Sequence, residues 1–193
     1  MPLHNWTGRD DWEGMRLYWL AELCRTLKRD LPPGFRSLIR NVAADDELAE
    51  DELAILVEQD GRLVASLEVI STRQKDLPVI RERTAARFAK YLQSGVHLGI
   101  IDLHPRPSRF PFPRLPAAEN GEDIMPPMAV SYRVGGAAAQ GGRMVAVWQR
   151  ALAVGEPLPA MPLPLGPELL VSVDLDGTYG RAAADSYLDD AST

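Results

Sequence analysis

Residues 64–104 read VASLEVISTRQKDLPVIRERTAARFAKYLQSGVHLGIIDLH, and this stretch limits the fold more than any other. An apolar run carrying one glutamate, Glu68, gives way to a short polar loop, a basic amphipathic segment and a second apolar run ending on Asp102. A helix between two such strands implies a crossover, right-handed, that joins parallel and central strands. Pro78 suits the first turn of that helix, Ile80, Ala85, Phe88, Tyr91 and Leu92 mark its apolar face, and Gly95 suits its end. A carboxylate within a buried strand is costly unless it is paired or holds a metal. Glu68 is therefore the first residue to question about function.

The flanking segments extend the pattern. Trp12, Met15, Trp19, Leu20, Leu23 and Leu27 recur at helical spacing, which predicts a helix over Trp12 to Leu27 stopped by LPPGF. Phe35 to Val42 reads as a strand. Leu53 to Glu58 and Leu63 to Ser71 are apolar runs joined through Asp60-Gly61, a hairpin signal. Pro105 to Pro127 reads as an irregular loop, and Met128 to Val134 with Arg143 to Arg150 as a second hairpin. A Pro-rich connector from Glu156 to Pro167 leads to a strand at Leu169 to Val173 and a helix from about Tyr179. The order predicts one α/β domain over residues 1–193 with a mixed central sheet flanked by helices. Its core spans about 12–104, followed by the loop 105–127 and a C-terminal β/α extension, 128–193.

Composition excludes several classes. Cys24 is the single cysteine, so neither an internal disulfide nor a cysteine-built zinc site is available. No apolar run approaches the roughly 20 residues that span a bilayer, and MPLHNWTGRDDWEG lacks the basic flank and apolar core of a signal peptide. A cytoplasmic protein with no membrane partner is expected. The net charge of −6 argues against a generic nucleic-acid coat. The charge is uneven, however. Six acids and no base lie between Asp45 and Glu52, whereas Arg73, Lys75, Arg81, Arg83, Arg87 and Lys90 face only Asp76 and Glu82. Such a distribution fits either a metal site beside a phosphate-binding face or two solvated surfaces of opposite sign. Nucleic acid is the partner the basic segment 73–90 would take, and a second copy of the chain stays open as another.

Strand alternation puts Ser66, Glu68 and Ile70 on one side of the sheet. The hairpin through Asp60-Gly61 returns Glu52, with Asp51 beside it, to the neighbourhood of residues 69–71. Two carboxylates from adjacent strands with a main-chain carbonyl make a hard oxygen site suited to Mg²⁺, or alternatively Mn²⁺. Lys75 lies a few residues on, placed to neutralise phosphate charge. The competing account is a Glu68–Lys75 or Glu68–Arg87 ion pair that only orders the loop.

The pattern LE-x-x-S-x-x-x-K, then a basic helix with R-x-x-x-Y, then GVHL-x-x-IDL resembles the PD-(D/E)XK restriction-endonuclease-like superfamily. Within it, the chain is similar to a bacterial branch of unknown function and to the related Uma-two-like proteins. MPLHNWT and the tryptophan-bearing helix closed by LPPGF add to the likeness, which covers roughly residues 1–105. The resemblance implies a restriction-endonuclease-like core and a metal-dependent nuclease acting on a nucleic-acid phosphodiester. It matches Glu68 to the metal-binding glutamate, Glu52 or Asp51 to the first acid, and Lys75 to the lysine closing the loop. Arg87 falls where the Uma-two-like pattern has lysine, and Glu22 matches an acid that sometimes joins such sites. Ile70 stands where the superfamily's usual lysine belongs, and Arg87 cannot donate a proton as lysine does. The alternative is a catalytically degenerate binding or interaction module that kept the fold.

Other signals carry less. LLVSVDLDGTYG, residues 169–180, spells an aspartate-nucleophile phosphatase signature, but only thirteen residues follow it where that fold needs over a hundred. A turn into a capped helix accounts for it better. Asp102 and His104 would share a side at a strand end, where a loop-anchoring hydrogen bond is the simpler role. His97 faces the other way as a satisfied histidine.

Overall fold

The structure is a computed structural model that describes residues 1–9, 11–42, 52–104, 126–137 and 142–186. Asp51, with the rest of the acidic stretch 43–51, and residues 105–125 of the Pro-rich loop lie outside the described residues.

Helix α1 spans Trp12–Asp30, one turn beyond its apolar spacing, with Lys28 and Arg29 in the last turn, where cations suit the helix dipole. Strand β1 (Phe35–Asn41) pairs antiparallel with β2 (Leu53–Gln59), and β2 with β3 (Arg62–Val69). The β2–β3 turn has Asp60 at φ 50° and Gly61 at φ 78°, both in the left-handed region that a two-residue hairpin requires. The expected loop after β3 is instead a short helix, α2 (Thr72–Asp76). Ser71 Oγ accepts from Gln74 N at 3.1 Å while Gln74 Oε1 accepts from Ser71 N at 2.8 Å. This capping box makes a helical turn from a polar stretch too short to show apolar spacing.

Helix α3 (Pro78–Ser94) begins on proline and closes on Gly95 at φ 85°. It returns the chain to β4 (His97–Asp102), which pairs parallel with β3, Glu68 opposite Ile100. Strands β5 (Met128–Ala137) and β6 (Arg143–Ala151) add antiparallel and extend the central sheet. The sheet runs β1-β2-β3-β4-β5-β6.

The Pro-rich connector holds a strand that its composition hid, β7 (Ala160–Pro164), paired with β8 (Leu170–Asp174). Pro162 and Pro164 occupy alternate positions, so one side of this two-stranded ribbon goes without their N–H groups. Helix α4 (Leu175–Asp185) starts four residues before Tyr179, because the Asp174 side chain caps it by accepting from Gly177 N at 2.9 Å.

Each face of the large sheet has its own core. On one side, Trp19, Leu20 and Leu23 of α1, with Met161, Leu163 and Tyr179, cover Ile55, Val57, Ala65, Leu67, Val69 and Ile101. On the other, Phe88 and Leu92 of α3 cover Ile70, Leu98, Ile100, Val130 and Tyr132. Glu68, one residue out of phase with Leu67 and Val69, falls on the α3 side.

Candidate functional site

Two clusters of buried charge lie where α2 and α3 cover the sheet. The first gathers Glu52, Glu68 and Arg87. Glu52 precedes β2, Glu68 sits in β3, and Arg87 reaches down from α3. One terminal nitrogen of Arg87 lies 2.5 Å from Glu52 Oε2, and the other lies 2.8 Å from Glu68 Oε2. Thr84, one turn before Arg87, donates to the same Glu52 oxygen at 3.4 Å, and Ser66 donates to Glu68 Oε1 at 3.4 Å. Val42 O accepts from Arg87 at 3.4 Å, while Arg87 Nε is buried without a partner.

Glu68 is 1% exposed. Burial pushes its pKa up, against the pull of Arg87. Burial works against the Arg87 charge too, but the Glu68 and Glu52 carboxylates prevail and raise its pKa. Tyr91, one turn on, is pushed up to about 12 by burial and then by the Glu68 charge.

Lys75 goes elsewhere. The capping box turns it under α2, where Nζ lies 3.0 and 2.7 Å from the two oxygens of Asp102 and also donates to His104 O. Lys75 and Asp102 are both fully buried, 0% exposed. Burial lowers the Lys75 pKa and raises that of Asp102 to about 6, in each case against the attraction of the partner. His104 N donates to Asp102 Oδ1 at 3.0 Å, the anchoring bond expected where the chain leaves β4. The His104 ring lies 5.2 Å from that of Trp12, its Nε2 is buried without a partner, and burial followed by the Lys75 charge pushes its pKa down to about 4.

Sequence reasoning missed the support from α1. Glu13 accepts from both Thr72 N and Thr72 Oγ1 at 2.9 Å and pairs with Arg16 at 2.7 Å, tying the start of α2 to the first helix. An acid in the first turn of a helix is so common that nothing in its sequence position points to this contact. Glu22 lies at the α1–α4 contact, bonded to Arg25 and, at 2.8 Å, to Arg181, so it takes no part in either cluster. His97 accepts from Val134 N at 3.0 Å, a satisfied histidine as expected.

The first cluster brings together three predicted site residues: Glu52, Glu68 and Arg87. Their arrangement holds a guanidinium between the carboxylates. A divalent ion would need the same oxygens, so these side chains do not fit one unless Arg87 withdraws. Among the described residues, no group of three or more His, Cys, Asp or Glu side chains is placed to hold a metal. Turning Lys75 and Arg87 inward also thins the basic face of α2 and α3. Arg73, Arg83 and Lys90 are exposed and Arg81 is half-buried, beside exposed Asp76 and Glu82.

Fold and site define an α/β protein with two buried ion clusters on the α3 side of a mixed sheet. No family model, curated protein or solved structure matches the chain. No helix among the described residues is long and apolar enough to cross a membrane.

Proposed function

We propose that this chain is a restriction-endonuclease-like module that binds nucleic acid and does not cleave it. One observation carries the reading: Arg87 is shared between Glu52 and Glu68, and Lys75 is committed to Asp102. A phosphodiester must be touched by the groups that hydrolyse it, and Glu68 and Lys75 present almost no surface to touch. The mixed sheet with α3 crossing between β3 and β4 supports the relationship to the superfamily. Binding falls to the exposed bases of α2 and α3, with Arg83 and Lys90 two helical turns apart on α3. Three exposed bases and half-buried Arg81 give a modest electrostatic footprint, with a salt slope no steeper than about −4.

A second reading, a Mg²⁺- or Mn²⁺-dependent nuclease, is favoured by the convergence of Glu52 and Glu68 on one point from neighbouring parts of the sheet. Incubating labelled DNA and RNA with wild type and Glu68→Ala, with either metal, separates the two. Under the binding reading neither protein cleaves. Cleavage by wild type that Glu68→Ala lacks would establish the enzyme instead. In parallel, fluorescence anisotropy with the same oligonucleotides should show salt-sensitive binding that Arg83→Glu/Lys90→Glu weakens at least tenfold. Unchanged affinity in that variant would remove the nucleic-acid face.

A further inference from the structure

We infer that Arg87 is a built-in counter-ion that does for Glu52 and Glu68 what a divalent metal would do, and so excludes Mg²⁺ and Mn²⁺ from between them. The inference rests on the binding-module reading and explains how such a module keeps two acids buried without a metal. The position of the guanidinium argues for it. Both contacts use the terminal nitrogens of Arg87, one per carboxylate, so the charge lies between the acids as a bridging cation would. Arg87 reaches this position although its Nε is left buried and unpartnered, which indicates that the carboxylates dictate where the group sits. The Val42 carbonyl and the Thr84 hydroxyl add two oxygens beside the Glu52 contact, and the Ser66 hydroxyl adds one beside Glu68. These are hard donors of the kind that Mg²⁺ and Mn²⁺ use. In formal charges the three side chains sum to −1, and the two carboxylates without Arg87 to −2.

Mn²⁺ is the probe, read by electron paramagnetic resonance and by thermal melting, on wild type, Glu68→Gln, Arg87→Ala, Arg87→Lys and Arg87→Ala/Glu68→Gln. Wild type should show no Mn²⁺ binding that depends on Glu68, and no shift in Tm. Arg87→Ala should melt lower in chelator and gain about 5–10 °C with saturating Mn²⁺. The double variant should lose that gain, and Arg87→Lys, which keeps a cation in place, should show none. Should Arg87→Ala be insoluble, refolding it with and without Mn²⁺ gives the readout, with a higher soluble yield expected in the metal. Glu68-dependent Mn²⁺ binding by wild type would overturn the inference, as would an Arg87→Ala protein that Mn²⁺ neither stabilises nor helps to refold. Glu68-dependent Mn²⁺ binding by wild type without cleavage would defeat this inference alone. Glu68-dependent cleavage would defeat the proposed function.

Discussion

Lys75→Met removes the ammonium that faces Asp102 in a fully buried pair and also takes a donor from His104 O. Breaking such a pair by deleting one partner costs about 3–5 kcal/mol, because the remaining charge stays in a low-dielectric site. The pH dependence carries more information than the size of the loss. Burial pushes the Asp102 pKa up to about 6 even beside Lys75, against an ordinary value of 3.8, and without the ammonium it must climb further. Between pH 6 and that higher value, the folded variant binds a proton that the folded wild type does not. Its deficit therefore shrinks by about 1.4 kcal/mol for each unit that pH falls toward 6. Asp102→Asn should slope the other way. It leaves Lys75 buried without its carboxylate, so its deficit shrinks as pH rises and the amine is allowed to be neutral. Urea melts of the three proteins at pH 6, 7 and 8, compared at equal m-value, measure both slopes. Parallel curves for the two variants, or a Lys75→Met loss under about 1 kcal/mol at pH 8, would refute the buried-pair account.

Three further outcomes are expected. Burial pushes the His104 pKa down to about 4 in the fold against an ordinary 6.5, so the stability its neutral form confers is present above pH 6.5 and lost as pH falls toward 4. Wild type should lose on the order of 3 kcal/mol relative to His104→Phe over that window, and superimposable pH profiles would count against it. Gly99→Ala would place a methyl 2.9 Å from Leu67 Cδ1 and 3.0 Å from Met161 Cε, on a central strand. A loss of about 1–3 kcal/mol in urea melts is expected, and an unchanged midpoint would show that both side chains move aside freely. Tyr179→Phe removes the hydroxyl that accepts from His4 N at 3.2 Å and from Trp6 Nε1 at 3.1 Å. It should cost about 1–3 kcal/mol and speed proteolysis within the first ten residues, and equal digestion rates would contradict that.

Much of the scaffold was legible because long amphipathic periods and turn chemistry are written locally. Trp12 to Leu27, the Asp60-Gly61 hairpin, and the start and stop of α3 at Pro78 and Gly95 all followed from spacing and backbone preference. What escaped was decided by contacts rather than by pattern. Helix α2 depends on two reciprocal hydrogen bonds between Ser71 and Gln74, and β7 depends on β8 for its pairing, despite two prolines. At the site, alternation correctly put Glu68 on the opposite side of β3 from Leu67. No spacing rule could say which cation would reach it. Lys75 is seven residues away and Arg87 nineteen, yet the helical turn at α2 carries Lys75 to Asp102 and the two turns of α3 below Ile80 carry Arg87 back. The bland account of Glu68, an ion pair with Arg87, and the chemical one, a pair of acids with Glu52, turned out to describe the same three side chains.

The placement of Glu68 has a consequence for how the sheet is assembled. Side chains alternate along β3, so sliding that strand by one residue against β4 would drive Glu68 into the layer lined by Trp19, Leu20 and Leu23 and lift Leu67 or Val69 toward Arg87. An apolar strand of Val, Leu and Ile tolerates such slips cheaply, since each face would still be greasy. A carboxylate whose ion-pair partner, Arg87, lies on the α3 side does not. Glu68 thus works as a registration pin for the parallel pair. A variant with Leu at 68 and Met at 87 could match the native stability and still populate more than one alignment of its central strands.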